Sequence, residues 1–369
     1  MNSTPKSILM IKSHSMGIGD LLRSTAAWRS LKTKWPDAKL HLLFLSKHPG
    51  YSSEKFISKI SLLSSATFLT ISNENSNDKK TRIKTSFSSL VKQIEEHCGR
   101  INPDLVIDFE SSGIRTSIFT KIAARFAKAK SIGINQFYGR RFFYSFSSVS
   151  TRIFAKQRLL DYPLEYTNKD YVVLSALGIE RLDTPIEINV FEDGLKFADK
   201  LSNSIDRSKP IIGINIGCGT EDAIPRRPPI EQLVLCIGKV IENMPCTLLL
   251  QEAPFESKIN KEFIDIYKKY YGDDSNIKCV ECTLPELTGL INFCDYFISS
   301  DSGPYHISVA LRKPTIAWFN FPTPTAYHHH SWCRILINPS PAQFKESFDT
   351  LKILNEKQSF NNYLLAIEN

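Results

Sequence analysis

The chain has 369 residues, with 46 Lys and Arg against 38 Asp and Glu and a formal net charge of +8. Its hydrophobic content of 42% and charged content of 23% are ordinary for a globular protein and exclude a disordered or fibrous chain. No apolar run approaches the ~20 residues of a membrane-spanning helix. The length predicts about two domains.

The N-terminus and the cysteine content indicate a cytoplasmic location. Residues 1–6 lead directly into a strand-like run, which is not the pattern of a signal peptide. Eight cysteines in a chain of this length are then expected to be reduced thiols. The positive charge permits an anionic lipid, a phosphorylated glycan or a nucleic acid as partner, but does not choose among them.

The N-terminal half reads as alternating strands and helices. Residues 7–12 and 40–45 are apolar runs typical of buried parallel strands, and residues 21–34 between them have helical spacing. This order is a βαβ unit. A further strand at 104–109 and a helix at 114–129 continue the alternation.

The loop between the first strand and helix contains Gly17-Ile18-Gly19. A dinucleotide-binding fingerprint would require a third glycine at position 22, which is Leu22, and an acidic residue after the second strand, which is absent. We therefore do not predict a nicotinamide dehydrogenase. The loop places Asp20 at the start of the helix, either as a helix cap or as a functional carboxylate at the edge of the sheet.

Residues 137–144 form a basic-aromatic patch that contains Arg140 and Arg141. Two interpretations remain open for it. It is a surface loop with core aromatics, or it is a landing place for an anionic acceptor or a membrane surface.

The βα alternation restarts after a Pro- and Asp-containing segment at 181–192, which also holds a short predicted strand at 186–190. We predict domains at 1–188 and 189–340, with a helical tail at 341–369 that packs back on the first domain. Two α/β domains with polar loops at their strand ends predict a ligand cleft between them.

Residues 299–306 are the most informative stretch of the second domain. They follow a buried strand-like run and precede a helix, and they include Asp301, Ser302, Gly303, Pro304 and His306. Ligands of open α/β sheets bind at such strand ends, and a helix N-terminus suits a phosphate. The competing interpretation is a helix cap followed by a turn.

The loop 217–229 is a second candidate phosphate-binding segment. Its glycines and Thr220 can approach a phosphate, and Arg226 and Arg227 can bind one through two guanidinium groups. Two such elements in one domain favour a diphosphate ligand. A P-loop pattern is absent, so a kinase or ATPase is not supported.

Two further groups are candidate metal ligands. Cys279 and Cys282 form a CxxC, but no second pair completes a zinc site, and ordinary thiols are favoured. His328-His329-His330 is interpreted as a polar loop beside the ligand cleft. We predict no metal and no other cofactor.

Several stretches together resemble one family. They are residues 8–12 through Gly19-Asp20-Leu21-Leu22, Arg29 to Lys32, Trp35 to Ala38, Arg226 to Pro229, Thr283 to Leu287, Cys294-Asp295, Asp301 to His306 and Lys313 to Thr315. In order and spacing they are similar to family 9 glycosyltransferases, the ADP-heptose:lipopolysaccharide heptosyltransferases.

The resemblance implies a GT-B fold, in which two Rossmann-like domains face each other across a cleft, and an inverting, metal-independent transfer. It implies Asp20 as general base. Independently of the resemblance, Gly17 and Gly19 are assigned to the acceptor-side loop that holds Asp20, and Arg140 and Arg141 to the acceptor through the basic-aromatic patch. The implied donor-binding residues are Thr220, Arg226, Arg227, Glu256 at the ribose (with Glu252 as competitor), Leu284 near the adenine, Asp301, Ser302, Gly303, Pro304 and His306.

Arg226, Pro228, Ala26 and the Gln251-Glu252-Ala253 turn depart from the family pattern, so the donor is ADP-heptose or another nucleotide sugar. The implied acceptor is the lipopolysaccharide core or another glycan, reached at the cytoplasmic face of the inner membrane or in the cytoplasm, without nucleic acid. Alternatives are a non-catalytic sugar-nucleotide-binding protein and an epimerase of GT-B architecture.

Overall fold

A computed structural model describes residues 4–13, 17–46, 52–71, 85–181, 185–218, 221–253 and 256–367, with side chains left out at 52, 221–223 and 357–367. The chain divides into two compact units, Met1–Ile186 and Glu187–Asn369. Both are α/β. Among the described residues, none of the helices is both long and apolar enough to cross a lipid bilayer.

The first unit is built on a parallel sheet that has six strands within the described residues. The strands are β1 (Ser7–Ser13), β2 (Lys39–Ser46), β3 (Ser65–Thr70), β4 (Leu105–Asp108), β5 (Lys130–Ile134) and β6 (Phe146–Ser148). The helices are α1 (Ile18–Lys34), α2 (Ser52–Ile57), α3 (Phe87–Ile101), α4 (Arg115–Ala127), α5 (Thr151–Gln157) and α6 (Tyr166–Ser175), with a 3₁₀ turn at Arg140–Phe143.

The strand order of this sheet is β3-β2-β1-β4-β5-β6. The chain leaves β1 towards β2 and later returns to its other side at β4, so the order reverses between β1 and β4. Ligands of open parallel sheets bind at the carboxyl ends of the strands at such a reversal. The near-complete burial of β1, β2 and β4 agrees with the apolar runs in the sequence.

The second unit repeats this plan. Its strands are β7 (Ile211–Asn215), β8 (Thr247–Glu252), β9 (Ile277–Glu281), β10 (Tyr296–Ser300), β11 (Thr315–Phe319) and β12 (Cys333–Ile337). Its helices are α7 (Glu192–Ser202), α8 (Ile230–Ile241), α9 (Ser257–Tyr271), α10 (Leu284–Phe293), α11 (Gly303–Ala310) and α12 (Pro341–Ile367), with 3₁₀ turns at Glu221–Arg226 and Pro324–Ala326. The order β12-β11-β10-β7-β8-β9 reverses between β7 and β10.

Helix α12 begins inside the second unit. Phe344, Phe348 and Leu351 are buried in the same core as Ile212 and Trp318. Residues 341–351 therefore complete this core, and describing them as a tail outside the domain is wrong. The expected packing of the later tail residues on the first domain stays a prediction.

The prediction of a strand at 186–190 is also wrong. This segment joins neither sheet and is tied instead by a hydrogen bond from Ile188 N to Ala310 O, 3.3 Å long. Conversely, β6 and β12 are edge strands that the sequence analysis did not identify. Edge strands of three to five residues leave little periodicity to detect.

Candidate active site

The reversal point of the first sheet holds a cavity of about 220 Å³. It opens where β1 and β4 end, beside the starts of α1 and α6. Its lining combines charged, hydroxyl and aromatic side chains: Lys12, Ser13, Asp20, Leu21, Phe44, Phe109, Glu110, Ser111, Ser112, Tyr166, Lys169 and Asp170. The volume and the polar lining suit a small polar group such as part of a sugar.

Asp20 lies in the first turn of α1 and contributes its carboxylate to this cavity. Its Oδ1 is 3.1 Å from Nη1 of Arg23, one helical turn away. The side chain of Arg23 is 5% exposed, whereas that of Asp20 is 41% exposed. The guanidinium group of Arg23 also lies 4.6 Å from the centre of the Tyr166 ring. Asp20 is thus held by a buried cation while its carboxylate stays accessible to a ligand.

A buried ion pair forms the floor of the cavity. Nζ of Lys12 lies 3.3 Å from Oδ1 of Asp170 and donates to the Ser24 hydroxyl at 2.6 Å. Burial opposes the charge on Lys12, but Asp170, Glu110 and Asp20 outweigh it and raise the pKa of Lys12. This lysine is therefore a fixed positive charge that ties β1 to α1 and α6.

Glu110, just after β4, lines the cavity and has a pKa near neutral pH. Its Oε1 accepts a hydrogen bond from Ser13 N at 3.1 Å. Burial raises the pKa of Glu110 to about 7, against the lowering effect of Lys12. Across the cavity, Nζ of Lys169 lies 4.0 Å from the centre of the Tyr166 ring, and burial lowers the pKa of this lysine.

The structure corrects the prediction for Arg140. This residue is fully buried, and its Nη2 lies 3.2 Å from Oδ2 of Asp108 while its Nε donates to the Ser117 hydroxyl at 2.9 Å. Tyr144 also donates to Asp108, at 2.7 Å. Arg140 is thus enclosed beside Asp108 and offers no exposed surface to an acceptor in this structure. Arg141 is exposed, with its guanidinium group 5.1 Å from the centre of the Phe142 ring.

The two predicted loop glycines differ in setting. Gly17 is exposed and immediately precedes α1 with an ordinary φ of −85°, whereas Gly19 is buried and already helical. Helix α1 therefore begins earlier than the predicted residue 21. Residues 14–16, the middle of the predicted loop, lie outside the described part of the chain.

In the second unit, Asn215 organises the reversal point. Its Oδ1 accepts hydrogen bonds from three serine hydroxyls, those of Ser299 (3.2 Å), Ser300 (3.3 Å) and Ser302 (2.8 Å). Its Nδ2 donates to Oε1 of Gln251 at 2.6 Å. This network joins the ends of β7, β8 and β10 and fixes the segment that leads into α11.

Ser302 occupies the N-cap position of α11, but its side chain makes no cap hydrogen bond. Its hydroxyl points to Asn215 instead. The first N–H groups of a helix have no partner within the helix, and the dipole favours an anion there. Gly303 and Pro304 open the helix, as the sequence indicated. The geometry is that of an anion-binding helix start.

Charged groups surround this helix start. Nη1 of Arg226 lies 3.9 Å from Oδ2 of Asp301, and the Arg226 side chain is 56% exposed. Between these groups and Ser300 lies Cys218, whose thiol donates to the Ser300 hydroxyl at 3.6 Å. Burial raises the pKa of Cys218 to about 11, and the charges of Arg227, Asp301 and Glu256 act on the same thiol. The structure therefore brings together the four charged residues Arg226, Arg227, Glu256 and Asp301, all of which were predicted to bind the donor.

Glu256 packs directly on the backbone of Gly217. A Cβ added to Gly217 would lie 1.5 Å from Oε1 of Glu256, so a larger residue here requires the Glu256 side chain or the loop to move. Glu256 is buried, and its Oε2 accepts from Ala253 N at 3.2 Å. The competing residue, Glu252, is engaged with Asn260 at 3.2 Å.

His306 is buried in the first turns of α11. Its Nδ1 lies 2.9 Å from Nε2 of His328, which is also buried. The interpretation of His328 as part of a polar loop is therefore wrong, since its ring is a core partner of His306. Thr220 lies outside the described residues. Leu284 is the half-buried first residue of α10, and no described contact joins it to this group.

Several residues of the two sites were not predicted from the sequence. They are Lys12, Glu110, Lys169 and Asp170 in the first unit and Asn215, Cys218 and His328 in the second. Lys12, Glu110 and Asn215 each stand at the carboxyl end of a central strand, and this position is a signal that could have identified them. Lys169, Asp170 and His328 come from elsewhere in the chain and have no such signal.

The family comparison agrees with this geometry. Residues 248–353 match the model of glycosyltransferase family 9 (heptosyltransferase). The match covers 106 of the 369 residues, so this family is what the C-terminal part of the chain resembles. No match was found among curated protein sequences.

Solved structures of glycosyltransferases share its fold. The glycosyl transferase family 9 structure from Veillonella parvula DSM 2008 has a TM-score of 0.68 and 16% identity, over 94% of this chain and 97% of that one. E. coli ADP-heptose lps heptosyltransferase II has a TM-score of 0.62 and 17% identity, over 95% and 99%. E. coli heptosyltransferase WaaC with ADP-2-deoxy-2-fluoro heptose has a TM-score of 0.60 and 14% identity, over 95% and 99%.

The fold class predicted from the sequence is confirmed: the chain has two Rossmann-like α/β units, as in the GT-B structures it resembles. Their arrangement across a cleft stays a prediction. Among the residues that the structure describes, no group of three or more His, Cys, Asp or Glu side chains could hold a metal ion. Cys279 is an exposed free thiol and Cys282 a buried one.

Proposed function

We propose that the protein is an inverting heptosyltransferase that moves a sugar from a nucleotide-diphosphate sugar, ADP-heptose in the first instance, to a hydroxyl group of a glycan acceptor. The observation that carries this proposal is the helix start at Ser302. There an uncapped α11, Arg226 and Asp301 meet at the reversal point of the sheet, inside the region that matches family 9.

The donor diphosphate would bind at the start of α11, where the helix dipole and the Arg226 guanidinium group stabilise its negative charge. That stabilisation matters most when the sugar–phosphate bond breaks and charge builds on the leaving group. Asp301 would accept hydrogen bonds from sugar hydroxyls, and Glu256 would hold the ribose. In this assignment Arg227, Thr220, His306 and Leu284 support the phosphates, the sugar or the adenine.

The acceptor would bind at the cavity that contains Asp20. Its hydroxyl oxygen attacks the anomeric carbon from the face opposite the diphosphate, a carbon–oxygen bond forms, and the bond to the diphosphate breaks. The hydroxyl proton passes to Asp20, and the nucleoside diphosphate leaves with the bonding electrons. One displacement inverts the anomeric centre, so no enzyme nucleophile is required. This scheme assigns no metal ion and no other cofactor.

The donor assignment is supported by the ADP-heptose named for E. coli heptosyltransferase II and by the ADP-2-deoxy-2-fluoro heptose held by WaaC. The lipopolysaccharide core is the proposed acceptor, in the cytoplasm. The exposed Phe137, Tyr138, Arg141 and Phe142 would allow a peripheral contact with the inner membrane, because they combine apolar and basic side chains on one short segment. Nucleic acid is not a proposed partner.

Release of nucleoside diphosphate in the presence of EDTA tests the function. The wild-type protein and Asp20→Asn are each incubated with ADP- and UDP-sugars and with glycolipid acceptors. The control is Asp37→Asn, which makes the same substitution at an exposed aspartate. We expect release that depends on the acceptor, survives EDTA, and falls about 10²–10⁴-fold in Asp20→Asn only.

Three outcomes would contradict parts of this proposal. Full activity of Asp20→Asn removes the assigned base. Donor binding without transfer to any acceptor favours the non-catalytic binding protein. Sugar epimerisation without an acceptor favours the epimerase.

A further inference from the structure

Three basic side chains near the first-unit cavity each form an ion pair with a carboxylate. Arg140 is paired with Asp108 at 3.2 Å, Lys12 with Asp170 at 3.3 Å, and Arg23 with Asp20 at 3.1 Å. Glu110 is a fourth carboxyl group in this corner. Within the described residues it has no ion pair of its own.

Glu110 faces titratable and charged groups on every element that packs around it. They are Lys12 on β1, Asp108 on β4, Asp20 on α1, Lys169 and Asp170 on α6, and Arg140, which donates to the Glu110 carbonyl oxygen at 2.7 Å. A negative charge on Glu110 would be repelled by Asp108 and Asp170, and burial would remove its stabilisation by water. Both effects favour the neutral acid.

Glu110 and Asp20 line one cavity of about 220 Å³, so a bound sugar meets both carboxyl groups. The two groups differ in environment. Asp20 is accessible and held by Arg23, whereas Glu110 is half-buried and its carboxyl group accepts, among the described residues, a backbone hydrogen bond from Ser13. Two carboxyl groups in different environments commonly serve different roles, one as base and one as proton-carrying hydrogen-bond donor.

We propose that Glu110 binds the acceptor as a neutral carboxylic acid, donating a hydrogen bond to an acceptor oxygen close to the hydroxyl group that Asp20 deprotonates. This inference rests on the proposed function, since it assigns the acceptor to this cavity. Glu110 keeps its proton throughout the transfer, so the reaction leaves it unchanged.

The inference makes acceptor binding depend on pH in a defined direction. The pKa of Glu110 is about 7, so the group loses its proton as the solution passes from pH 6 to pH 8.5. The cavity then loses a donor and gains a negative charge beside Asp20. The acceptor KM should rise over this range, whereas kcat should change little, because a group that binds ground state and transition state alike acts on KM.

Replacement of Glu110 tests this inference. Glu110→Gln keeps a neutral donor, Glu110→Ala removes it, and Glu95→Gln is a control on the exposed face of α3. We expect the wild-type acceptor KM to rise about fivefold or more between pH 6 and pH 8.5, and the KM of Glu110→Gln to stay constant. Glu110→Ala should show a KM about tenfold above that of Glu110→Gln at pH 6.

An infrared titration gives a readout that needs no substrate. The difference spectrum of wild type minus Glu110→Gln should contain a carboxylic-acid C=O band at pH 6 that disappears by pH 8.5. Absence of this band at pH 6 overturns the inference, as does a Glu110→Gln variant whose KM matches that of Glu110→Ala. If the wild-type protein transfers to no acceptor, the proposed function fails and the acceptor role of Glu110 fails with it. If transfer occurs without the band, only the inference fails.

Discussion

His306 and His328 share a hydrogen bond of 2.9 Å between Nδ1 of the first ring and Nε2 of the second. Since only one of these nitrogens can carry the shared proton, the pair couples the tautomers of the two rings. When His328 is the donor, His306 carries its own proton on Nε2, where it can donate to an anion. Binding of a diphosphate at α11 should select this arrangement.

We therefore predict that His328→Ala weakens ADP binding by about 5- to 30-fold, because His306 loses the partner that orients its ring. Isothermal titration calorimetry with ADP measures this change. His329→Ala, at an exposed neighbouring position, is the matched control and should bind like wild type. Equal affinities of His328→Ala and wild type would show that the ring pair does not serve the ligand.

Arg140 and Arg141 provide a contrast between a structural and a surface arginine. Removal of the guanidinium group in Arg140→Met leaves Asp108 buried without its cation, which should lower the free energy of unfolding by about 3–5 kcal/mol. Arg141→Met should change it by less than about 0.5 kcal/mol. Urea denaturation followed by circular dichroism measures both. A destabilisation that is equal in the two variants would contradict the buried role of Arg140.

Substitution of Gly217 tests whether the contact between its loop and Glu256 supports ligand binding. Gly217→Ala places a methyl group 1.5 Å from Oε1 of Glu256 and must displace the loop or the carboxylate. We expect weaker ADP binding by about tenfold or more, measured by calorimetry. Gly99→Ala is the control in α3, where the added Cβ has no atom within 4 Å. That variant should bind ADP normally and gain about 0.5–1 kcal/mol of stability.

The protonation of Glu110 also affects folding stability. Its pKa is raised from 4.5 to about 7 in the folded protein, so the folded state binds a proton between these values that the unfolded state has released. Stability is therefore lost as the pH rises through this window. Relative to Glu110→Gln, the wild-type protein should lose on the order of 2–3 kcal/mol between pH 4.5 and pH 8. Chemical denaturation at several pH values measures the difference, and a constant difference would contradict it.

The sequence predicted the central strands β1, β2 and β4 well, because buried parallel strands leave a local apolar pattern, whereas α1 begins three residues earlier than predicted. It placed Asp20 at the start of α1, and Ser302 and Gly303 at the junction between the end of β10 and the start of α11. It could not place His328 or Asp170, whose roles arise from contacts between segments far apart in the chain. The burial of Arg140 was missed for the same reason: Arg140 lies in a 3₁₀ turn and its partner Asp108 at the end of β4. A basic residue among aromatics has the same local pattern whether it is exposed or buried.

The hydroxyl of Ser302 donates to Asn215 and makes no cap hydrogen bond with the first N–H groups of α11. This side chain therefore does not compete with an anion that arrives from solution. A carboxylate in its place, as in Ser302→Asp, would reach the same N–H groups and act as a permanent internal competitor of any phosphate. If α11 binds the donor diphosphate as proposed, Ser302→Asp should abolish that binding and leave the fold intact.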